Sequence, residues 1–280
     1  MEYQKKYLGW IAVSVLAVLC VIGWVYAWNR IGKSMHDAEY AASFSEFSWN
    51  GVDYTRLSQE ELQENDSEMR TPEGIAGDRL GEIVLSTSRG TETCTLYCAG
   101  NAGKAGTVYS RTVLRTGAGW FAYAGCGFAS LGDSPSIAEV CSAFGLTEAN
   151  QIASVTVTDP ADGSKAKLTE TAELEAFYSK LTALGDSISE EEQAKAYYDA
   201  YVGEYGENNG AVLEDGKVQF ASEDANERAT ALWAEGVRLV TVRLNNGFLM
   251  RDLVYAPVPQ LFTVFGCYHF DGEILSAEGT

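Results

Sequence analysis

The stretch RLVTVRLNNGFLMRDLVY, residues 238–255, decides the fold class of this chain. Two runs rich in apolar residues, Arg238–Leu244 and Phe248–Tyr255, flank the turn residues Asn245-Asn246-Gly247. Asparagine and glycine tolerate the positive φ angles that a tight turn between antiparallel strands requires. The stretch therefore predicts a hairpin, which is a building unit of an antiparallel sheet.

Similar signals occur on the amino-terminal side of this hairpin. Asn50-Gly51 lies between two short runs of alternating apolar residues, and Asp215-Gly216 marks a further turn. Both pairs predict hairpins for the same stereochemical reason. The other strands are expected at about residues 81–87, 92–98, 106–115, 119–130, 152–158, 165–168 and 261–270.

Helices are expected between the strands. Ser58–Glu61 and Ser189–Glu192 each match a capping box, in which a serine and a glutamate three residues later satisfy amides of the first helical turn. An amphipathic helix containing Leu174 is expected to end at Gly185. Two further helices are predicted, from Pro135 to Gly145 and from Ser222 to Glu235. Strands and helices mixed in this way indicate an α+β protein with mostly antiparallel strands.

A long apolar segment near the amino end completes the expected fold. From Leu8 to Trp28 there are 21 residues without a charged side chain. A helix of that length spans roughly 30 Å, the thickness of the hydrocarbon core of a bilayer. Tyrosine and tryptophan occur at both ends of the segment, where such side chains settle at lipid headgroups. The sequence therefore predicts a single-pass signal-anchor, and a cleavable signal peptide ending near Ala27 is the alternative.

The orientation of this anchor depends on a small charge difference. Lys5 and Lys6 precede the apolar segment, while Arg30 and Lys33 follow it together with acidic residues. Lysine and arginine alone are balanced, and the net charge favours an amino end in the cytoplasm. We therefore expect a protein of the cell membrane whose bulk is extracytoplasmic.

The domain organisation follows from these patterns. The pattern changes near Gly145 from strands alone to strands mixed with helices, so a subdomain boundary is expected there. The expected segments are a short cytoplasmic tail (1–7), the transmembrane anchor (8–28), a juxtamembrane segment (29–43), a β-rich extracytoplasmic subdomain (44–145), an α+β extracytoplasmic subdomain (146–270) and a polar tail (271–280).

The composition excludes one class of partner. The chain has 39 acidic and 20 basic side chains, a formal net charge of −19. A surface with that balance repels nucleic acid and anionic lipid headgroups. We therefore expect no nucleic-acid partner, and the acidic surface is consistent with cationic partners or with solubility alone.

No motif in the sequence predicts a catalytic, cofactor or metal site, and no cofactor is expected. Cys94 and Cys98 are four residues apart in one predicted strand, with Cα atoms ~13 Å apart, beyond the reach of a disulfide. We therefore expect the cysteines to be small buried apolar residues. A single disulfide between a different pair of cysteines is the alternative. Cys267 and His269 share one face of the last predicted strand, but neighbours on a strand face are roughly 7 Å apart, too far for a hydrogen bond.

Four tyrosines form the best candidate binding face. Tyr197, Tyr201 and Tyr205 recur every four residues in a predicted helix, and Tyr198 lies beside them. Such a row usually packs in a core, and the alternative is an aromatic face for a glycan or a peptide.

The sequence thus predicts a non-enzymatic module anchored through Leu8–Trp28 that binds a ligand or an envelope protein, a peptide or a glycan. Two alternatives remain open. One is an envelope hydrolase whose carboxylates are scattered along the sequence, because a pair of carboxylates suffices for glycoside hydrolysis. The other is an accessory subunit of a membrane complex.

Overall fold

The computed structural model describes residues 37–63, 71–100, 102, 104–105, 108–132, 135–207 and 210–270 of the 280-residue chain. The predicted anchor Leu8–Trp28, the tail 1–7 and the tail 271–280 lie outside these residues. Within the described part of the chain, no helix is long and apolar enough to cross a membrane.

The amino-terminal half forms a six-stranded antiparallel sheet, here called the N-sheet. Its strands are arranged in the order β1-β2-β8-β7-β4-β3, so that three hairpins lie side by side. The strands of this half are β1 (Glu46–Trp49), β2 (Val52–Arg56), β3 (Ala76–Thr87), β4 (Gly90–Ala99), β5 (Lys104–Ala105), β6 (Val108–Tyr109), β7 (Arg111–Thr116) and β8 (Gly119–Phe128). The short strands β5 and β6 pair with each other outside the sheet.

The carboxyl-terminal half forms a second six-stranded antiparallel sheet, the C-sheet, with the order β10-β9-β13-β14-β15-β16. The strands β11 and β12 form a separate hairpin. The strands of this half are β9 (Ile152–Thr158), β10 (Lys165–Leu168), β11 (Ala211–Glu214), β12 (Lys217–Phe220), β13 (Arg238–Leu244), β14 (Leu249–Ala256), β15 (Leu261–Val264) and β16 (Cys267–Phe270).

Five helices with both ends described connect these strands, and residues 37–42 are also helical. The helices are α1 (Gln59–Gln63), α2 (Ile137–Phe144), α3 (Thr171–Thr182), α4 (Glu190–Tyr205) and α5 (Glu223–Ala234). The structure therefore confirms an α+β fold with mostly antiparallel strands and several helices.

The local signals in the sequence account for most of these elements. Asn50 and Gly51 adopt φ angles of 50° and 76° in the β1–β2 turn, and Asp215 and Gly216 adopt 50° and 67° in the β11–β12 turn. The predicted capping boxes form at Ser58, before α1, and at Ser189, before α4. These turns and caps form where the sequence predicts them because their stereochemistry is local.

Several element boundaries predicted from the sequence are wrong. The strand expected over about 106–115 is divided into β6 and β7, and β3 begins at Ala76, before the expected residue 81. The single last strand over about 261–270 is two strands, because Phe265 and Gly266 take φ angles of 48° and 81° and reverse the chain. The third helix ends at Thr182, before the expected Gly185. Phenylalanine is an unusual residue for a positive φ angle, so Gly266 was the only sign of the β15–β16 turn in these two residues.

A shared aromatic core joins the two sheets. Phe248, which precedes β14, is fully buried and lies 5.2 Å from the Phe128 ring and 6.1 Å from the Phe144 ring. A Cβ atom at Gly125 would lie 2.7 Å from the Phe248 ring, so glycine at this position in β8 lets the ring approach the N-sheet. Leu249 contacts the cluster around Val113 on the N-sheet. The turn between β13 and β14 is thus held against both sheets.

The helical residues 37–42 are packed on the N-sheet. Tyr40 belongs to the buried core, and its hydroxyl donates a hydrogen bond to the Glu92 carboxylate. Arg89, at the β3–β4 turn, forms an ion pair of 2.5 Å with Asp37, and its guanidinium lies 4.1 Å from the centre of the Tyr40 ring. The Arg56 guanidinium donates to the Ala41 carbonyl at 3.0 Å. The packed part of the chain therefore extends back into the segment 29–43.

Candidate functional site

The face of the C-sheet that points away from the buried valines carries polar side chains. Arg243 on β13 is directly opposite Ser154 on β9, and Thr156 on β9 is directly opposite Lys167 on β10. In antiparallel pairs, directly opposed residues share a face. Arg243 and Lys167 therefore lie on one face of the sheet, with the buried hydroxyl of Ser154 between them.

The N-sheet contributes a third cation to the same place. Arg111 begins β7, and its Nε atom lies 3.2 Å from the position that a Cβ atom on Gly247 would occupy. Gly247 belongs to the β13–β14 turn and has a φ angle of 94°. This positive φ angle and the close approach of Arg111 both favour glycine here. The turn thereby brings the C-sheet into contact with the start of β7.

These residues line a cavity of about 380 Å³, which we call the inter-sheet cleft. Arg111, Lys167 and Arg243 supply three positive charges, and no carboxylate occurs among the described residues of its lining. The other lining residues are small or polar: Ala153, Ser154, Thr169, Leu244, Asn245, Asn246 and Gly247. The cleft is therefore a cationic region within a chain of net charge −19.

Two asparagines fix the wall of the cleft. The Asn245 side chain donates to the Asn150 carbonyl at 2.7 Å, and the Asn246 side chain donates to the Phe144 carbonyl at 2.8 Å. The Asn246 side-chain oxygen also accepts from the Phe248 amide at 3.1 Å. Because these bonds span the β13–β14 turn, α2 and the turn before β9, the wall is held in place without a ligand.

A second compartment of about 220 Å³ shares Lys167 and Arg243 with the cleft and adds Lys165, Glu60 and Glu61 to its lining. Glu61 accepts from the Arg251 guanidinium at 2.7 Å. Burial disfavours ionisation of Glu61, but hydrogen bonds from Ser58 and the charges of Arg251 and Arg243 outweigh it, so its pKa lies below its usual range. Glu61 is consequently an ionised carboxylate at neutral pH and a poor proton donor.

The predicted tyrosine row is divided between core and surface. Tyr201 is fully buried against α5 and the β11–β12 hairpin, whereas Tyr197, Tyr198 and Tyr205 are partly exposed. The Tyr197 ring contacts Trp233 at 4.9 Å, edge to face, and burial raises its pKa. The row thus builds the aromatic core of the unit formed by α4, β11, β12 and α5, and a binding role for its exposed members stays a prediction.

The cysteines and the described histidine are placed as packing residues. Cys94, Cys98, Cys126, Cys141 and Cys267 are thiols, and four of them are buried. His269 is fully buried, and its Nδ1 atom lies 2.9 Å from the Gly185 carbonyl, which accepts a hydrogen bond from it in the fitting tautomer. Neither Cys267 nor His269 lines the inter-sheet cleft.

A larger recess of about 750 Å³ lies between α2 and the end of α3. Its lining includes Cys141, whose pKa burial raises to about 11, so that the group is a neutral thiol. Glu139 also lines it, but its carboxylate is engaged in the capping box of α2. No cluster of like charges occurs among the described lining residues, so this recess is a weaker candidate than the cleft.

Sequence reasoning did not find Arg111, Lys167 and Arg243. They belong to strands β7, β10 and β13, and no local spacing connects them. Across the described residues, no group of three or more His, Cys, Asp or Glu side chains is placed to hold a metal ion. Comparison with protein-family models, with curated proteins and with solved structures finds no match to this chain.

Proposed function

We propose that this chain is a single-pass membrane protein whose extracytoplasmic α+β region is a non-enzymatic binding module, with its ligand in the inter-sheet cleft. The observation that carries the proposal is the cleft itself. It is polar, it is bounded by residues of both sheets, and its volume of about 380 Å³ falls within the roughly 300–1,000 Å³ typical of small-molecule sites.

The membrane part of the proposal is supported by the apolar segment Leu8–Trp28 and by the packing that follows it. Asp37 and Tyr40, nine and twelve residues after Trp28, are already bound to the N-sheet. The folded region would therefore include residues within nine positions of the anchor. Protease added to intact spheroplasts is expected to degrade a carboxyl-terminal tag, and protection of that tag until lysis would contradict the proposed orientation.

Binding without catalysis is supported by the chemistry of the lining. Arginine, lysine, threonine and asparagine side chains hold ligands, but a nucleophile needs a base within hydrogen-bond reach. Glu61 in the second compartment is paired with Arg251 and has a lowered pKa, which suits an electrostatic role better than proton donation. These features favour a binding module over the alternative of a carboxylate-based hydrolase.

The proposal is tested by ligand-dependent stability of the full chain in phosphatidylcholine nanodiscs. Thermal unfolding is followed by tryptophan fluorescence with a panel of anionic, neutral and cationic small molecules. A ligand at one hundred times its Kd adds about 2.7 kcal/mol to the unfolding free energy. For a folded region of this size that corresponds to an increase in Tm of about 5–11 °C.

A cleft-filling variant locates the effect. Thr169 is exposed and lines the cleft, so Thr169→Trp fills the cavity while leaving the core and all charges unchanged. Thr91→Trp is the matched control, because Thr91 is an exposed strand residue outside the cleft. We expect the ligand-induced increase in Tm to be lost in Thr169→Trp and kept in Thr91→Trp. The absence of any stabilising ligand, or an equal shift in both variants, would contradict the proposal.

A further inference from the structure

We infer that the ligand of the inter-sheet cleft carries an oxyanion, a phosphate, sulfate or carboxylate group, which Arg111, Lys167 and Arg243 hold together. This inference rests on the proposed function and names the class of ligand. The oxyanion is expected on a small polar molecule, because a cavity of about 380 Å³ is larger than one oxyanion requires.

Positively charged side chains from three strands converge on the cleft. Lys167 and Arg243 lie on one face of the C-sheet, two strands apart laterally and two residues apart along the strands. Strand and residue spacings place their Cα atoms ~12 Å apart, a distance that two long side chains can bridge to one group between them. Arg111 approaches from the N-sheet at the β13–β14 turn. Three cations on separate strands therefore surround one cavity.

The hydrogen-bond donors of the cleft are of the types that bind oxyanions. A guanidinium presents N–H groups in a planar fork that matches two oxygens of a carboxylate or phosphate, and the lysine ammonium adds a point charge. The hydroxyls of Ser154 and Thr169 also line the cleft and can donate to further oxygens. The asparagine side chains contribute rigidity, because their amide nitrogens already donate to backbone carbonyls.

The charge of the cleft lining is opposite to the net charge of the chain. With 39 acidic side chains, the average surface repels anions. The described lining of the cleft holds three cations and no carboxylate. Glu60 and Glu61 line the adjoining compartment, where the charge of Arg243 helps to lower the pKa of Glu61. The excess of positive charge in the lining of the cleft favours an anionic ligand over a cationic one.

The test measures binding of inorganic phosphate, sulfate and acetate to the full chain in phosphatidylcholine nanodiscs by isothermal titration calorimetry. We expect saturable binding of at least one probe. Arg243→Gln and Lys167→Gln each remove one charge from the cleft and are expected to weaken that binding at least tenfold. Arg79→Gln is the matched control, because Arg79 is an exposed arginine on the edge strand β3. The affinity of Arg79→Gln for the same anion should stay within twofold of the wild-type affinity.

A second arm separates two sources of the oxyanion. In nanodiscs that contain phosphatidylglycerol, a lipid headgroup that reaches the cleft competes with added phosphate and lowers its apparent affinity. A soluble ligand leaves that affinity unchanged. Thermal unfolding without added anion shows whether each variant is folded, and Arg243→Lys, which retains the charge but loses the fork, is expected to bind with intermediate affinity.

Two results overturn the inference. One is the absence of saturable binding for all three anions. The other is equal affinity of wild type, Arg243→Gln and Lys167→Gln. If neutral ligands still stabilise the protein and Thr169→Trp abolishes that effect, the proposed function stands and the oxyanion inference alone fails. If no ligand of any charge stabilises the protein, both fail.

Discussion

Replacing Phe248 by alanine tests how the two sheets are joined. The side chain is fully buried between Phe128 on β8 and Phe144 on α2, and its ring contacts the backbone of Gly125. Removing it leaves a cavity at the junction of the N-sheet and the C-sheet. The residue also follows the turn that carries Gly247, so the same change loosens one wall of the inter-sheet cleft.

The magnitude follows from the burial of the ring. Truncation of a buried phenylalanine to alanine costs about 3–5 kcal/mol of unfolding free energy, from lost transfer energy and the remaining cavity. In a folded region of this size, that loss lowers Tm by about 6–20 °C. Because the turn loses its support, affinity for a ligand of the cleft should also fall.

The assay is thermal unfolding of the full chain in nanodiscs, followed by circular dichroism and tryptophan fluorescence. Phe270→Ala is the control, because Phe270 is 55% exposed on β16 and its truncation should change the unfolding free energy by less than about 0.5 kcal/mol. A loss below about 1 kcal/mol for Phe248→Ala would refute the claim that this ring fills the junction between the sheets.

Three further predictions concern single residues. Gly247→Ala should cost about 1–3 kcal/mol in thermal unfolding and weaken binding, because φ is 94° and the new Cβ atom would lie 2.7 Å from Ser110 Oγ and 3.2 Å from Arg111 Nε. Tyr40→Phe should cost about 1 kcal/mol in urea unfolding at neutral pH, because it removes the hydrogen bond to the Glu92 carboxylate. Alkylation at pH 8, mapped by mass spectrometry, should label the half-exposed Cys126 before the buried Cys141, whose pKa is raised to about 11.

Each of these predictions has a control. Gly51 also has a positive φ angle, 76°, but open space around it, so Gly51→Ala reports the backbone strain without the clash. Equal losses for the two glycines would contradict a clash at Gly247. For the thiols, denaturation should remove the difference in labelling rate, and faster labelling of Cys141 in the native protein would contradict its burial.

The effect of Tyr40→Phe has a defined pH dependence. Burial alone would raise the pKa of Glu92. Hydrogen bonds from the Tyr40 hydroxyl and the Gly117 amide lower this pKa by more than burial raises it, so it lies below the usual range for glutamate. The ionised carboxylate therefore stabilises the fold at pH values above the ordinary glutamate pKa of about 4.3, and this stabilisation is lost as pH falls through the lower folded value. The difference in unfolding free energy between wild type and Tyr40→Phe should therefore become smaller as pH falls through the folded-state pKa of Glu92. Tyr178→Phe, which affects a bond to a backbone carbonyl, should show a constant difference.

Most of the fold could be predicted because its signals are local. The Asn50-Gly51 and Asp215-Gly216 turns need particular backbone angles, and the serine caps of α1 and α4 need particular side chains. Each of these acts within about four residues of sequence. The turn at Phe265-Gly266 was missed because phenylalanine seldom takes the positive φ angle that reverses the chain here. The Phe265 ring stacks on the Phe144 ring at 5.5 Å, and such a tertiary contact cannot be read from the local sequence.

The inter-sheet cleft could not be predicted for a related reason. Lys167 and Arg243 share a face of the C-sheet only through pairing of β10 and β13 with β9. Arg111 joins them where the β13–β14 turn, followed by the buried Phe248, packs against the N-sheet. The tyrosine row, in contrast, lies within one short segment and could be seen in the sequence. Its period of four correctly indicated one helix face, but periodicity does not show that α5 and the β11–β12 hairpin cover Tyr201 on that face.

Oxyanion binding in the inter-sheet cleft is tested most directly by a crystal structure of the full chain grown with selenate, a sulfate analogue whose selenium gives an anomalous signal. An anomalous peak is expected inside the inter-sheet cleft, with the selenate oxygens within hydrogen-bond distance of Arg111, Lys167 and Arg243. A cleft filled by side chains of the protein itself, or selenate bound elsewhere with the cleft empty, would contradict this expectation.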